Sequence, residues 1–295
     1  MKKYIFTDLD GTLFYPKTKR KMVPGKNKNF IDRFISDGGK VVLVSGRGHM
    51  FIDKVCEYIG HNVDSICCNG TSIYQNGVAI KDDAFDPVFL KDMIDYVRSN
   101  YKAKCIILFT KHRNMVFPKD GLAAWVRLFY PLYMGIQGSY REVITMNDKA
   151  YEEELEKGEV EKAMIFFGAT PMASNKAKKA NKELREKFDG LAEFSWTVQC
   201  IEVTPLGCSK SNGIRFYLDY NRINSDNVLV VGDSGNDISM FEAFKEESYC
   251  MAHANDSVKK HANHIIKRFY SLEDYVYPSE ETIKTPDIKD SKEGN

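Results

Sequence analysis

Four carboxylates, a hydroxyl and an amide stand where apolar runs of this sequence end. Tyr4-Ile5-Phe6-Thr7 passes into Asp8 and Asp10, then Gly11 and Thr12; Ser45 and Gly46 follow "KVVLV"; Asp233, Asn236 and Asp237 follow "NVLVVG". Side chains at i and i+2 of a strand share a face, so Asp8 and Asp10 can reach one group. Carboxylates crowded together force protonation or recruit a cation. Oxygen donors of this kind suit a hard ion, and Mg²⁺ commonly takes only one or two carboxylates beside water and phosphate. Lys210, after "TPLGCS", adds a fixed ammonium that a carboxylate and a phosphate could share. A carboxylate so placed can attack phosphorus to give an aspartyl phosphate, while the acid two residues on moves protons. Gly11 would let the backbone turn and approach the phosphate.

Such residues must be gathered by an open sheet, whose ligands sit beyond the carboxyl ends of its strands. The first third alternates short apolar runs ("KYIFTD", "KVVLVS", "SICCNG") with a helical segment carrying Phe30, Ile31, Phe34 and Ile35. Strand, helix, strand at this length predicts parallel βαβ units. The pattern returns at "DNVLVVGDSGND" and "SYCMA". From about Asp82 to Cys200 the texture changes: "DPVFLKDMIDYVRSN" and "KKANKELREKF" predict surface helices, and "CIILFT", "AMIFFG" and "FSWTVQCIEVT" predict strands. The expected fold is α/β, a Rossmann-like parallel-sheet core from residues 1–81 and 201–278 with an inserted α+β cap at 82–200. "YQNGVAIKDD" and "TPLGCSK" would be the two crossings, and the polar tail 279–295 is expected to be disordered.

The 42 Lys and Arg against 41 Asp and Glu give no reason to expect a nucleic-acid partner. Seven scattered cysteines without a C-x-x-C pair predict reduced thiols and a cytoplasmic protein. Neither a signal-peptide core nor an apolar stretch near the ~18 residues of a membrane span is expected. The basic run 175–187 is interleaved with Glu at helical spacing and predicts a solvated face. His253, His261 and His264 are expected to decorate a late helix, and Trp125, Phe129, Tyr130, Tyr133 and Trp196 to be mostly core.

"DLDGT" at 8–12, "LVSGR" at 43–47, Lys210 and "GDSGND" at 232–237 resemble, in order and spacing, the four motifs of the haloacid dehalogenase-like phosphatases. With "CNGTSIY" at 68–74 and "CMAHANDSVKKHA" at 250–262 the chain is similar to the Cof-type subfamily, whose cap is an α+β insertion. The resemblance implies Asp8 as nucleophile and metal ligand, and Asp10 as acid and base whose carbonyl also binds the metal. It implies Ser45 and Gly46 as phosphoryl-binding groups, with Asn236 near the phosphate, and Lys210 orienting nucleophile and phosphate. Asp233 would be a further Mg²⁺ ligand, with Asp237 supporting the metal directly or through water. Serine at 45 departs from the usual threonine but keeps the hydroxyl. Arg47 and Asn69 could touch substrate or brace loops. The implied activity is a Mg²⁺-dependent phosphatase for a small phosphorylated metabolite. A phosphomutase using the same intermediate, or a non-enzymatic phosphate-binding protein, are the alternatives. No residue from Asp82 to Cys200 stands out as a determinant of specificity.

Overall fold

The computed structural model describes residues 3–18, 21–119, 144–168, 170–197 and 200–277. Tyr4–Thr7 (β1), Gly25–Ser36 (α1), Lys40–Val44 (β2), His49–Ile59 (α2) and Asp64–Cys67 (β3) lay down the predicted alternation. Ser72–Gln75 (β4) and Val78–Asp82 (β5) follow. An inserted run holds Pro87–Asn100 (α3), Cys105–Thr110 (β6), Asn114–Phe117 (β7), Ile144–Met146 (β8), Asp148–Lys157 (α4) and Val160–Phe166 (β9). It continues through Pro171–Lys187 (α5), Ala192–Trp196 (β10) and Cys200–Pro205 (β11). The last described elements are Lys210–Tyr220 (α6), Val228–Gly232 (β12), Ile238–Ala243 (α7), Ser248–Met251 (β13), Asp256–Lys259 (α8), His264–Ile266 (β14) and Glu273–Val276 (α9).

The first sheet has the order β14-β13-β12-β1-β2-β3-β4-β5. It is parallel from β14 to β3 and closes with an antiparallel hairpin. Its central strands are buried on both faces, which is why their sequences are continuously apolar. Ile5, Val41, Leu43, Leu229 and Val231 pack with Phe30, Ile31 and Phe34 of α1 and with α2 on one side. Phe6, Val42, Val44, Val228 and Val230 meet Ile214, Tyr217 and Leu218 of α6 and Met240 and Phe241 of α7 on the other. The protein is therefore α/β with a parallel-sheet core.

The second sheet has the order β10-β11-β9-β6-β7-β8. Ile106, Leu108, Ala163, Ile165, Ile201 and Val203 point to α3, α4 and α5. Cys105, Ile107 and Phe109 point the opposite way, with Met115, Phe117 and Cys68. In α5, Ala173, Ala177, Ala180 and Leu184 make the buried stripe, and the intervening lysines form a solvated face.

Several expectations need correction. "YQNGVAIKDD" is an edge hairpin of the first sheet, because Asn76 and Gly77 adopt positive φ (52° and 78°) and turn β4 back into β5. "FSWTVQCIEVT" is two strands, β10 and β11, paired antiparallel with Ser195 opposite Glu202. The boundary expected at 200/201 falls inside that pairing, so the second sheet runs to Pro205. His264 lies on β14, and His253 and His261 lie in turns, since α8 is too short to carry them. Trp196 is partly buried against the second core, while Trp125, Phe129, Tyr130, Tyr133 and the tail 279–295 lie outside the described residues.

Two glycines bring α6 against the end of β3. At Gly70 (φ +98°) a Cβ would meet the Ser209 carbonyl oxygen at 2.3 Å; at Gly213 it would meet Ile66 Cγ2 at 2.7 Å and Gly70 Cα at 3.0 Å. Backbone on one side of Gly213 cannot yield, so Gly213→Ala is expected to destabilise the protein by about 1–3 kcal/mol, as overpacking does. Because α6 carries Lys210, turnover should fall as well. Denaturant unfolding and a phosphate-release assay of the variant check both, and wild-type values in either would refute the tight fit.

Candidate active site

Lys210 is the first residue of α6, a poor place for a cation on helix-dipole grounds. It is held there by Ser209, whose Oγ caps Asn212 N–H at 3.2 Å, and by two carboxylates. Its Nζ donates to Asp8 Oδ1 at 2.7 Å and to Asp237 Oδ1 at 2.6 Å, with no side-chain surface exposed. Asp8 is positioned by its N–H, which continues the β1–β12 ladder to the Val231 carbonyl at 2.9 Å. Asp237 spends its other oxygen, Oδ2, on the N–H groups of Asp233 (2.8 Å) and Ser234 (2.9 Å). Both of its oxygens are thus engaged in shaping the loop after β12.

Asp8, Asp233 and Asp237 each place a carboxylate oxygen within 4.8 Å of the others. Asp233 approaches only because residue 11 is glycine: a Cβ there would lie 2.1 Å from Asp233 Oδ2, and its φ is +85°. Thr12 Oγ1 donates to Asp233 Oδ1 at 3.4 Å. His253, stacked on Tyr15 with ring centroids 3.9 Å apart, lies 3.4 Å from Asp233 Oδ2. Burial, with help from Arg268 and Lys259, keeps this imidazole below its usual range and so neutral.

The Asp10 side chain takes no part in that cluster. It accepts two bonds from Arg47, from Nε at 2.6 Å and Nη2 at 2.9 Å, and the guanidinium also lies 4.2 Å from the Phe51 ring centroid. Burial pushes Asp10 up, but Arg47 outweighs it and holds the carboxyl below its ordinary range. Asp8 behaves oppositely: burial, reinforced by Asp237 and Asp233, raises it well above its ordinary value despite Lys210. Asp233 is raised to about 7, chiefly by burial and then by Asp237. Lys210 stays protonated, because Asp237 and Asp8 overcome the effect of burial. Three carboxylates against one ammonium leave a negative excess, and these oxygen donors fit a divalent cation such as Mg²⁺.

Beside the cluster lies a loop suited to anions. Ser45 Oγ accepts from Arg47 N–H at 3.1 Å, which leaves its proton for another acceptor. The left-handed Cys68 and Asn69 (φ 46° and 57°) fold the end of β3 under it, with Asn69 N–H bonded to the Ser45 carbonyl at 2.9 Å. Asn236 Nδ2 bonds to Asn69 Oδ1 at 3.2 Å and to Glu202 Oε2 at the same distance. A Cβ on Gly46 would come 3.1 Å from Asn69 Oδ1 and 3.2 Å from Glu202 Oε1. Among the expected residues, Asp8, Lys210, Asp233 and Asp237 converge, Asp10 turns to Arg47, and Ser45, Gly46, Asn69 and Asn236 form the adjoining wall.

Glu202 and Lys162 were not expected here. They come from β11 and β9, 40 residues apart, and pair at 3.0 Å beside this wall. The available signal was a charge inside an apolar strand run, in "CIEVT" and "VEKAMIFF".

The family model of the haloacid dehalogenase-like hydrolases matches residues 5–270, and the chain belongs to this family. Among curated relatives, the pyridoxal phosphate phosphatase of Escherichia coli is 26% identical, covering 90% of this chain and 93% of that protein. The 5-amino-6-(5-phospho-D-ribitylamino)uracil phosphatase of Bacillus subtilis is 24% identical over 90% of this chain and 93% of its own. A solved HAD/COF-like hydrolase from Plasmodium vivax superposes with a TM-score of 0.75 at 25% identity, covering 93% of this chain and 95% of that one. The class defined by these relatives is the phosphoric monoester hydrolases.

The raised carboxyls make cation binding proton-linked, because a ligand must lose its proton first. Asp233 keeps a proton in the fold up to about 7 that it loses near 3.8 when unfolded, so metal-free stability falls as pH rises between these values. A cation reverses this loss only where the acid is ionised. The rise in Tm on adding Mg²⁺ is therefore expected to be larger at pH 8 than at pH 5.5. A pH-independent or inverse increment, measured by thermal unfolding, would contradict the site.

Proposed function

We infer that the protein is a phosphatase that hydrolyses a small phosphate monoester through a phosphorylated Asp8, with Mg²⁺ as cofactor. The observation carrying this reading is the buried Lys210 ammonium bridging Asp8 and Asp237, with Asp10 two residues from Asp8 and outside that bridge. Lys210 favours the ionised Asp8 and a bound cation would complete the ionisation that burial opposes, while Asp10, outside the bridge, can exchange a proton. Asp8, the Asp10 carbonyl and Asp233 would hold the cation, with Asp237 orienting the loop. When bound it would neutralise the Asp8–Asp233 repulsion and screen the phosphate charge.

Ser45 Oγ–H, Gly46 N–H and Lys210 Nζ would receive the phosphoryl oxygens. An Asp8 oxygen bonds to phosphorus as the ester P–O bond breaks, and Asp10 passes its proton to the leaving oxygen. Asp10 then takes a proton from water, whose oxygen bonds to phosphorus as the Asp8–P bond breaks, releasing phosphate. The Arg47 fork favours the ionised Asp10 that the second step needs. For the first step Arg47 must turn away, and an entering phosphate is an anion able to draw it.

The second sheet, seated near this wall through Glu202 and Lys162, favours a small substrate over a phosphoprotein. The named activities of the relatives, toward pyridoxal phosphate and a ribityl phosphate, support the same class. Seven free thiols suit a cytoplasmic setting. No helix among the described residues is long and apolar enough to cross a membrane.

The test is phosphate release from a panel of phosphorylated metabolites with and without Mg²⁺. Turnover should require the cation, and Asp8→Asn should lower kcat by more than about a thousand-fold, as loss of a nucleophile does. Undiminished turnover in that variant, or none on any ester, would reject the reading.

A further inference from the structure

Lys162 and Glu202 are charged, yet their side chains retain only 2% and 10% of their accessible surface. Glu202 lies opposite Met164 in the β11–β9 pairing, so Lys162, two residues along, projects from the same face. Beside them on that face lie the apolar Ile107, Phe109, Met115 and Phe117. Burying two ions is costly unless each finds further partners, and here every further partner lies in the first module except one. Lys162 Nζ donates to the Gly46 carbonyl and sits 4.0 Å from the Phe109 ring centroid. Glu202 Oε2 accepts from Asn69 Nδ2 at 2.8 Å and from Asn236 Nδ2 at 3.2 Å.

One ion pair on the second sheet therefore grips three loops, those after β2, β3 and β12. The Gly46 carbonyl belongs to the peptide whose N–H, on Arg47, bonds to Ser45 Oγ. A cation on that carbonyl polarises the peptide and strengthens the bond that fixes the Ser45 hydroxyl. We propose that Lys162 and Glu202 are positioning residues, which register the second sheet on the phosphate-binding loops and hold Ser45, Gly46 and Asn236 at their mutual spacing. The proposal rests on the phosphatase reading for its kinetic consequence, but not for its structural one. Neither residue need touch the leaving group.

The experiment compares the full chain with Lys162→Met, Glu202→Gln and the double variant Lys162→Met/Glu202→Leu. Removing both charges together leaves no buried ion unpaired, so the double variant is expected to keep its Tm even if the single ones lose theirs. Hydrogen exchange read by mass spectrometry should quicken in segments 45–48, 68–70 and 234–237 of the double variant and stay unchanged in β1 and β12. Its kcat should fall about 10- to 100-fold, the scale of a small misplacement, by one factor on both phenyl phosphate and an alkyl phosphate, with KM little changed. Unchanged exchange in the three loops would overturn the proposal, as would a double variant with wild-type kcat, which would mark the pair as merely structural. A loss differing between the two esters would overturn it too, by making them contacts of the leaving group. Quickened exchange in a protein whose wild type releases phosphate from no ester of the metabolite panel would support the clamp and reject the phosphatase.

Discussion

An ammonium with no exposed surface, shared by two carboxylates, is the constraint on which the rest of this structure depends. Lys210 cannot be removed from water unless Asp8 and Asp237 meet it, and breaking such a buried pair costs about 3–5 kcal/mol. To bring them together, β1 and β12 must be neighbours, α6 must start beside the end of β3, and Gly70 and Gly213 must let it approach. Asp237, tied to Lys210 on one oxygen, folds the loop after β12 with the other, and this carries Asp233 over Gly11. The geometry of the candidate site and fold stability are thus served by the same contacts.

The charges around this point are sorted by distance. Arg47 neutralises Asp10, and Lys162 neutralises Glu202. Within the Asp8–Asp233–Asp237 group, Lys210 offsets one carboxylate, and the neighbouring His253 is held neutral. The remaining excess lies between Asp8 and Asp233, where a divalent cation fits, and a cation there would free Asp8 from the protonation that burial otherwise favours. Asp10, paired with Arg47 instead, is held below its ordinary range. Two acids two residues apart in sequence are shifted in opposite directions because their neighbours differ.

What the chain discloses before folding follows from how local each determinant is. The strand-end acids were legible because a strand places i and i+2 on one face and an α/β sheet gathers its loops at one end. The parallel core was legible in "VVLV" and "VLVV", apolar on both faces. Lys210 was legible only through the order of motifs, since nothing local distinguishes a buried lysine from a surface one. The division of "FSWTVQCIEVT" into β10 and β11 was missed because β-rich residues fill it from end to end. The Asp10–Arg47 fork and the Glu202–Lys162 pair, spanning 37 and 40 residues, depend on sheet register rather than pattern. Charge inside apolar strand runs at Lys162 and Glu202 was their sole trace.

The central claim, that Asp8 is the group that takes up the phosphoryl, is tested most directly by trapping it. The protein would be quenched in acid during turnover of a phosphate ester, reduced with borohydride and mapped by peptide mass spectrometry. An acyl phosphate at Asp8 predicts conversion of that residue to homoserine, absent without substrate. Turnover with Asp8 unmodified, or with the reduced residue at another position, would contradict the account.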